Sequence, residues 1–168
     1  MSKVCDNKSV GVIIRDGDKF AVIKRKNYPV AYAFVAGHLD GDSFEKAAEK
    51  EAKEEANIKI LVLEKKLAET LENPCKREGG SRHQWEVFEA VKWEGELRPS
   101  SDAKEAFWAS LEDLKKLAER TVDFSKKLGI AIDDVSCFTR AVTDDPEWQK
   151  DPGLEPVWLV MLRTIGIM

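Results

Sequence analysis

The chain has 168 residues, 43% of them hydrophobic and 35% charged, with a net charge of −4. That is enough for one globular domain with a sizeable core, and the acidic balance argues against a dedicated nucleic-acid surface while leaving nucleotides open. No apolar stretch approaches the roughly 18 residues of a membrane span, and the N-terminus lacks the apolar region of a secretory signal, so a cytoplasmic protein is expected.

Residues 1–8 read as a short tail. Ser9–Arg15 has strand character, with Val10, Val12 and Ile14 alternating against Gly11 and Ile13. Asp16-Gly17-Asp18 is a turn signal and Lys19–Arg25 the returning strand, which together predict a β-hairpin. Asn27-Tyr28-Pro29 breaks the pattern, and Val30–Ala36 is a short strand. A helix is predicted from about Phe44 to Ala56, capped by Ser43, with Phe44, Ala47, Ala48 and Ala52 forming an apolar face of mainly small residues. Such a face lets a helix lie close against a sheet. Ile58–Leu71 is a strand, and Glu72–Ser81 a loop carrying Lys76 and Arg77. Arg82–Trp93 is a further strand with Trp85, Val87 and Val91 on one face, closed by a turn at Glu94-Gly95-Glu96. From Thr121 onward the pattern is helical but interrupted: Val122–Leu128 and Val135–Val142 are short amphipathic patches. Asp144-Asp145-Pro146 and Asp151-Pro152-Gly153 are breakers, and Glu155–Ile165 is a last helix with Pro156 in its first turn. Val157, Trp158, Met161, Leu162 and Ile165 form its apolar side, which predicts packing on the body of the protein; a substrate lid or a homodimer interface is the other role open to it. Three cysteines, Cys5, Cys75 and Cys137, show no metal-type spacing and point to a reducing compartment without a disulfide framework.

The most informative residues are Glu51, Glu54 and Glu55. Their i, i+3, i+4 spacing puts three carboxylates on one helix face, about 5–6 Å apart at Cβ. Glu49 with Lys53 and Lys50 with Glu54 are ordinary i,i+4 pairs of a solvated helix, but Glu51 with Glu55 is a like-charge pair. A hard divalent cation such as Mg²⁺, which takes oxygen ligands, would offset that repulsion.

The stretch Gly37–Ile58, GHLDGDSFEKAAEKEAKEEANI, resembles the Nudix box, G-x5-E-x7-R-E-U-x-E-E-x-G-U with U a bulky apolar residue. Lys50–Ile58 lies on its C-terminal half, Asp42 on the first Glu and Gly37 on the first Gly. The departures are one loop residue fewer, Asp42 for Glu, Lys50 for Arg, Ala52 for a bulky apolar residue and Asn57 for Gly. Asn tolerates the left-handed conformation of a helix C-cap, whereas Lys offers a point charge where Arg offers a planar fork.

The resemblance spans roughly Ser9 to Arg120 and implies an α+β fold: a Nudix-type α/β/α sandwich with a mixed central sheet over residues 1–120, and a helical C-terminal extension, 121–168, packed on the same domain. It implies a strand at Lys104–Ala109 and a helix at Ser110–Arg120, where Ser110 and Asp113 form a capping arrangement. It implies a phosphoanhydride hydrolase (a pyrophosphatase) that uses Mg²⁺, with Mn²⁺ as the alternative, on a nucleoside diphosphate linked to another group. The metal ligands carried over are Glu51, Glu54, Glu55 and the backbone carbonyl of Ala36; Glu54 and Glu51 are the catalytic candidates. Arg25 and Arg82 are candidates for the substrate phosphates, and Asp102 and Glu105 remain open beside Glu54 and Glu55 as the general base. Two further readings share the fold: a nucleotide-binding module without turnover, which the altered Lys50 and Asp42 leave open, and an isopentenyl diphosphate isomerase, ranked last because no cysteine lies in a recognisable version of that enzyme's motif.

Overall fold

The computed structural model describes residues 3–101 and 103–168. Strand β1 (Lys8–Asp16) turns at Gly17, which takes φ +62, into β2 (Lys19–Arg25), the expected hairpin. The single strand expected before the box is two short ones, β3 (Tyr32–Ala33) and β4 (Val35–His38). Helix α1 (Phe44–Ala56) is followed by two long strands, β5 (Ile58–Leu71) and β6 (His83–Gly95), and by β7 (Ala103–Ala109). Helices α2 (Leu111–Leu128), α3 (Val135–Thr143), α4 (Pro146–Lys150) and α5 (Pro156–Ile165) complete the chain.

The sheet is mixed. β1 lies parallel to β6 and antiparallel to β4, and β5 pairs antiparallel with β6. β2 bridges to β3 and β7, both antiparallel. The alternation in β1 explains the layering, since successive side chains point to opposite faces. Val10, Val12 and Ile14 face α1 together with Ala47, Ala48, Ala52 and Ala56, all buried. Ile13 faces the other way into a larger core with Phe34, Trp85, Val87 and the α5 residues Trp158, Met161 and Leu162. Helix, sheet and helices therefore form the expected α/β/α sandwich. The alanine face of α1 brings that helix close to β4, which matters for the site.

Local signals set the helix ends. The Ser43 hydroxyl accepts the Lys46 amide proton at 3.2 Å, and Asn57 closes α1 in the left-handed conformation at φ +59. Ser110 and Asp113 form the reciprocal capping box at α2.

Three further expectations differ from what is observed. Helix α2 runs eight residues past Arg120, so Val122–Leu128 is its C-terminal half and residue 120 lies inside one helix. No breaker intervenes until Gly129, which ends the helix at φ +67. β6 continues through Gly95, which pairs with Ile58, where a turn was expected. Val91 is 50% exposed although it shares strand parity with buried Trp85 and Val87. Register shifts around Val62 and Leu63 mark where the β5–β6 ribbon is irregular, and Val91 lies on the part of it left uncovered.

The C-terminal segment is built into the body. Leu154 N–H donates to Leu117 C=O, the Thr121 hydroxyl donates to Leu154 C=O, and Glu155 N–H donates to Tyr32 C=O at 2.8 Å. Leu159, not expected on the apolar side of α5, is also fully buried, so this helix is covered almost all round. A satellite cluster of Ala31, Phe138, Val142 and Trp148 seals α3 and α4 to the loop before β3. No described helix is long and apolar enough to cross a membrane.

Candidate active site

Helix α1 and strand β4 meet at a cleft of about 360 Å³, lined by Ala36, Glu51, Glu54, Glu55, Ser100 and Ser101. The structure thus brings together all four residues expected to hold a metal. Glu55 is fastened to the strand: its Oε1 accepts the Ala36 amide proton at 2.9 Å. Ala36 sits opposite Gly11 in the antiparallel β1–β4 ladder. A strand residue's N–H and C=O point to the same side of such a ladder, so the Ala36 carbonyl faces the helix side as well.

Glu51 lies against Gly37, closely enough that a Cβ at residue 37 would overlap its carboxyl carbon. Gly37 does not take a positive φ; the requirement here is space, created by the close approach of α1 to β4. Gly37→Ala is therefore expected to push the Glu51 carboxylate aside. Activity should fall about ten- to hundredfold, as a misplacement of about 1 Å does, while the melting temperature moves little. Steady-state kinetics beside a thermal melt checks this; unchanged kinetics would show that Glu51 does not need its present position.

Burial, reinforced by the neighbouring Glu54, pushes the Glu51 carboxyl up to about 7. Burial also pushes Glu55 up to about 8, against the pull of the Ala36 amide and of Arg25. Both groups hold protons in the fold that they would release in the unfolded chain above the ordinary value of 4.5. Folded protein then binds more protons than unfolded protein between about pH 4.5 and pH 8, and metal-free stability falls as pH rises through that window. Glu55→Gln keeps an oxygen for the Ala36 amide and removes the charge. In chelator it should be more stable than the parent at pH 8.5, by about 2–4 kcal/mol, and nearly equal to it at pH 5. Urea unfolding at the two pH values checks this, and a difference that does not grow with pH would contradict it.

The donor set fits a hard divalent cation. Three carboxylates converge, two of them are held near neutrality by burial and mutual repulsion, and among the described residues no cationic side chain lines the cleft. Asp42, on the box's first Glu, pairs with Lys46 at 3.4 Å.

A second, smaller depression of about 80 Å³ shares Ala36 with the first and is bordered by Arg25, Tyr28, His38 and Glu155. Arg25 is thus at the site. Its Nη1 is 2.7 Å from Glu155 Oε1, and Glu155 is 7% exposed at the start of α5. Arg82 is exposed just before β6 and lines neither depression. Glu105, on β7, accepts from the Tyr32 hydroxyl at 3.0 Å and lies 3.8 Å from Lys24, outside the cleft lining. Asp102 lies outside the described residues. Ser100, Ser101, Tyr28 and Glu155 were not anticipated at the site. The two serines follow a proline in a polar turn, and Glu155 is remote in sequence, so neither carries a local signal.

The family model for the NUDIX domain matches residues 6–129, most of the chain, and the chain belongs to the Nudix family. Solved structures share the fold at low identity. A MutT NUDIX hydrolase from Burkholderia pseudomallei is 21% identical over 64% of this chain and 84% of its own, with a TM-score of 0.55. A NUDIX hydrolase from Nitrosomonas europaea is 17% identical over 86% of this chain and 84% of its own, with a TM-score of 0.53. The NUDIX domain of Shewanella oneidensis NrtR, solved with ADP ribose, is 15% identical over 69% of this chain and 78% of its own, also at 0.53. No curated protein sequence matches.

Proposed function

We propose that this protein is a divalent-cation-dependent hydrolase of the phosphoanhydride bond in a nucleoside diphosphate linked to another group, with Mg²⁺ as the cation and Mn²⁺ as its substitute. The observation that carries this reading is the convergence of Glu51, Glu54 and Glu55 with Ala36 in one cleft. A cation held by these three carboxylates and the Ala36 carbonyl would stabilise the negative charge that develops on the phosphoryl oxygens. Glu54, the most exposed of the three, accepts the proton of the attacking water. Glu55 is held by the Ala36 amide and Glu51 by its fit against Gly37, so both carboxylates are placed before substrate arrives. Arg25 spends one nitrogen on Glu155 and keeps further N–H donors for a phosphate oxygen. NrtR's ADP ribose, a nucleoside diphosphate joined to a second sugar, is a molecule of the class proposed.

The test is a hydrolysis panel of nucleoside triphosphates, nucleotide sugars, dinucleoside polyphosphates and NADH, with Mg²⁺ or Mn²⁺ and with chelator. Metal-dependent release of phosphate or nucleoside monophosphate is expected. No turnover on any member, together with nucleotide-dependent thermal stabilisation, would replace the hydrolase with a binding module.

A further inference from the structure

Four residues that are scattered in the sequence meet beside the cleft: Cys5 in the N-terminal segment, His38 at the end of β4, Cys75 in the loop after β5 and His83 at the start of β6. One ligating atom from each lies within 4.8 Å of every other. We propose that these residues form a second metal centre, a closed Cys₂His₂ site for Zn²⁺ that clamps the wall of the catalytic cleft.

The spacing suits that ion. Zn–S bonds of about 2.3 Å and Zn–N bonds of about 2.0–2.1 Å in a tetrahedron put sulfur atoms about 3.8 Å apart and nitrogen atoms about 3.4 Å apart. Here Cys5 Sγ and Cys75 Sγ are separated by 3.6 Å, and Cys5 Sγ and His83 Nε2 by 3.2 Å. The His38 and His83 rings meet edge to face with centroids 5.4 Å apart.

The surroundings are those of a ligand set. His83 Nδ1 lies 2.7 Å from the Asn73 carbonyl, which accepts its proton and leaves Nε2 with a free lone pair toward Cys5. Asn73 is itself fixed, because its side-chain oxygen accepts from the indole N–H of Trp85 at 2.8 Å. The Asn7 amide donates to Cys5 Sγ at 3.3 Å, which fixes the direction of the sulfur. The loop closes over Cys75 so tightly that a Cβ at Gly80 would overlap its sulfur. His38 Nε2 is buried and has no hydrogen-bond partner in the fold. A thiol–imidazole hydrogen bond would account for Cys5 and His83 alone. A disulfide between Cys5 and Cys75 would require their sulfurs to close from 3.6 Å to about 2.05 Å, and it would leave the Nε2 atoms of His38 and His83 without a partner. A divalent ion satisfies all four groups together, and two thiolates cancel its charge.

Four protein ligands leave no open position, so this centre is structural. Its position says what it holds. Cys5 N–H donates to Glu78 C=O at 2.8 Å and Val4 bridges to Glu78, which joins the N-terminal segment to the 72–82 loop. His38 adds β4 to that junction, two residues from Ala36 and next to Gly37, the two backbone positions against which Glu55 and Glu51 are set.

The test is Co²⁺ loading of the full-length chain under reducing conditions, after bound metal has been stripped with a chelator and the chelator removed. Cobalt in a tetrahedral thiolate site gives intense visible d–d bands and a near-ultraviolet thiolate-to-metal charge-transfer band. Cobalt at the glutamate cleft gives neither, so the two sites are distinguished. One equivalent of Co²⁺ should saturate the thiolate band. Protein purified without chelator should contain one zinc per chain. The band should survive in Cys137→Ala and Glu54→Gln and be lost in Cys75→Ala and His83→Ala. Absence of the band in the folded parent protein would overturn the proposal. So would a band that persists in Cys75→Ala, or an intact mass showing a Cys5–Cys75 disulfide in protein never exposed to oxidant.

Discussion

Glu54→Gln should lower metal-dependent hydrolysis at least about a hundredfold, and Glu51→Gln should do the same, with neither change destabilising the fold. Gln is close to Glu in shape but offers a cation a neutral amide in place of a full charge. Stabilisation of transition-state charge by a metal ion amounts to several kcal/mol, and each 1.36 kcal/mol is tenfold in rate. Stability should be kept because these carboxylates repel one another in the metal-free protein, where burial and the charge of Glu54 oppose ionisation of Glu51. The two measurements belong together: turnover of the best substrate from the panel, and a melt in chelator. Full activity in both variants would remove the carboxylate cleft from the chemistry. Lost activity with a collapsed melt would mean that the residues serve the fold instead.

Trp158→Ala should cost about 3–5 kcal/mol, the usual range for emptying a buried aromatic site. The indole is fully buried, 5.1 Å from the Phe34 ring and 6.1 Å from Trp85, and it lies against Gly11, where a Cβ would overlap it. In a protein of this size each kcal/mol moves the melting temperature by about 2–4 °C, so a fall of roughly 10 °C is expected. Trp158→Phe should cost less than the alanine change, because the indole nitrogen is buried without a hydrogen-bond partner and its loss leaves nothing unpaired. If α5 acted as a movable lid, Trp158→Ala would raise KM and leave the melt where it was. That outcome would sink the packing role.

What could be read from the sequence was whatever local chemistry determines. Ser43, Asn57 and the alanine spacing define α1 within its own stretch, and the glutamate spacing places three carboxylates on one face. The β1–β2 hairpin follows from its turn residues in the same way. What could not be read depends on contacts between distant residues. The family resemblance put Arg25 forward for a phosphate, but its partner Glu155 lies 130 residues away. Val91 had the right parity for burial, yet parity does not say where the covering layer ends. Cys5, Cys75 and the two histidines have no spacing signal because four separate segments deliver them, and the cysteines accordingly read as unrelated thiols.

The contact between Gly11 and Trp158 also has a meaning in time. Strand β1 leaves the ribosome before the helix that covers one of its faces, which follows more than a hundred residues later. Until α5 emerges, the surface around Gly11, Ile13 and Trp85 has no lid of its own, and a nascent chain stalled before residue 158 carries an open apolar face. Folding of this domain therefore waits for α5 to be made, and a chain interrupted before it leaves that apolar face open to proteases and chaperones.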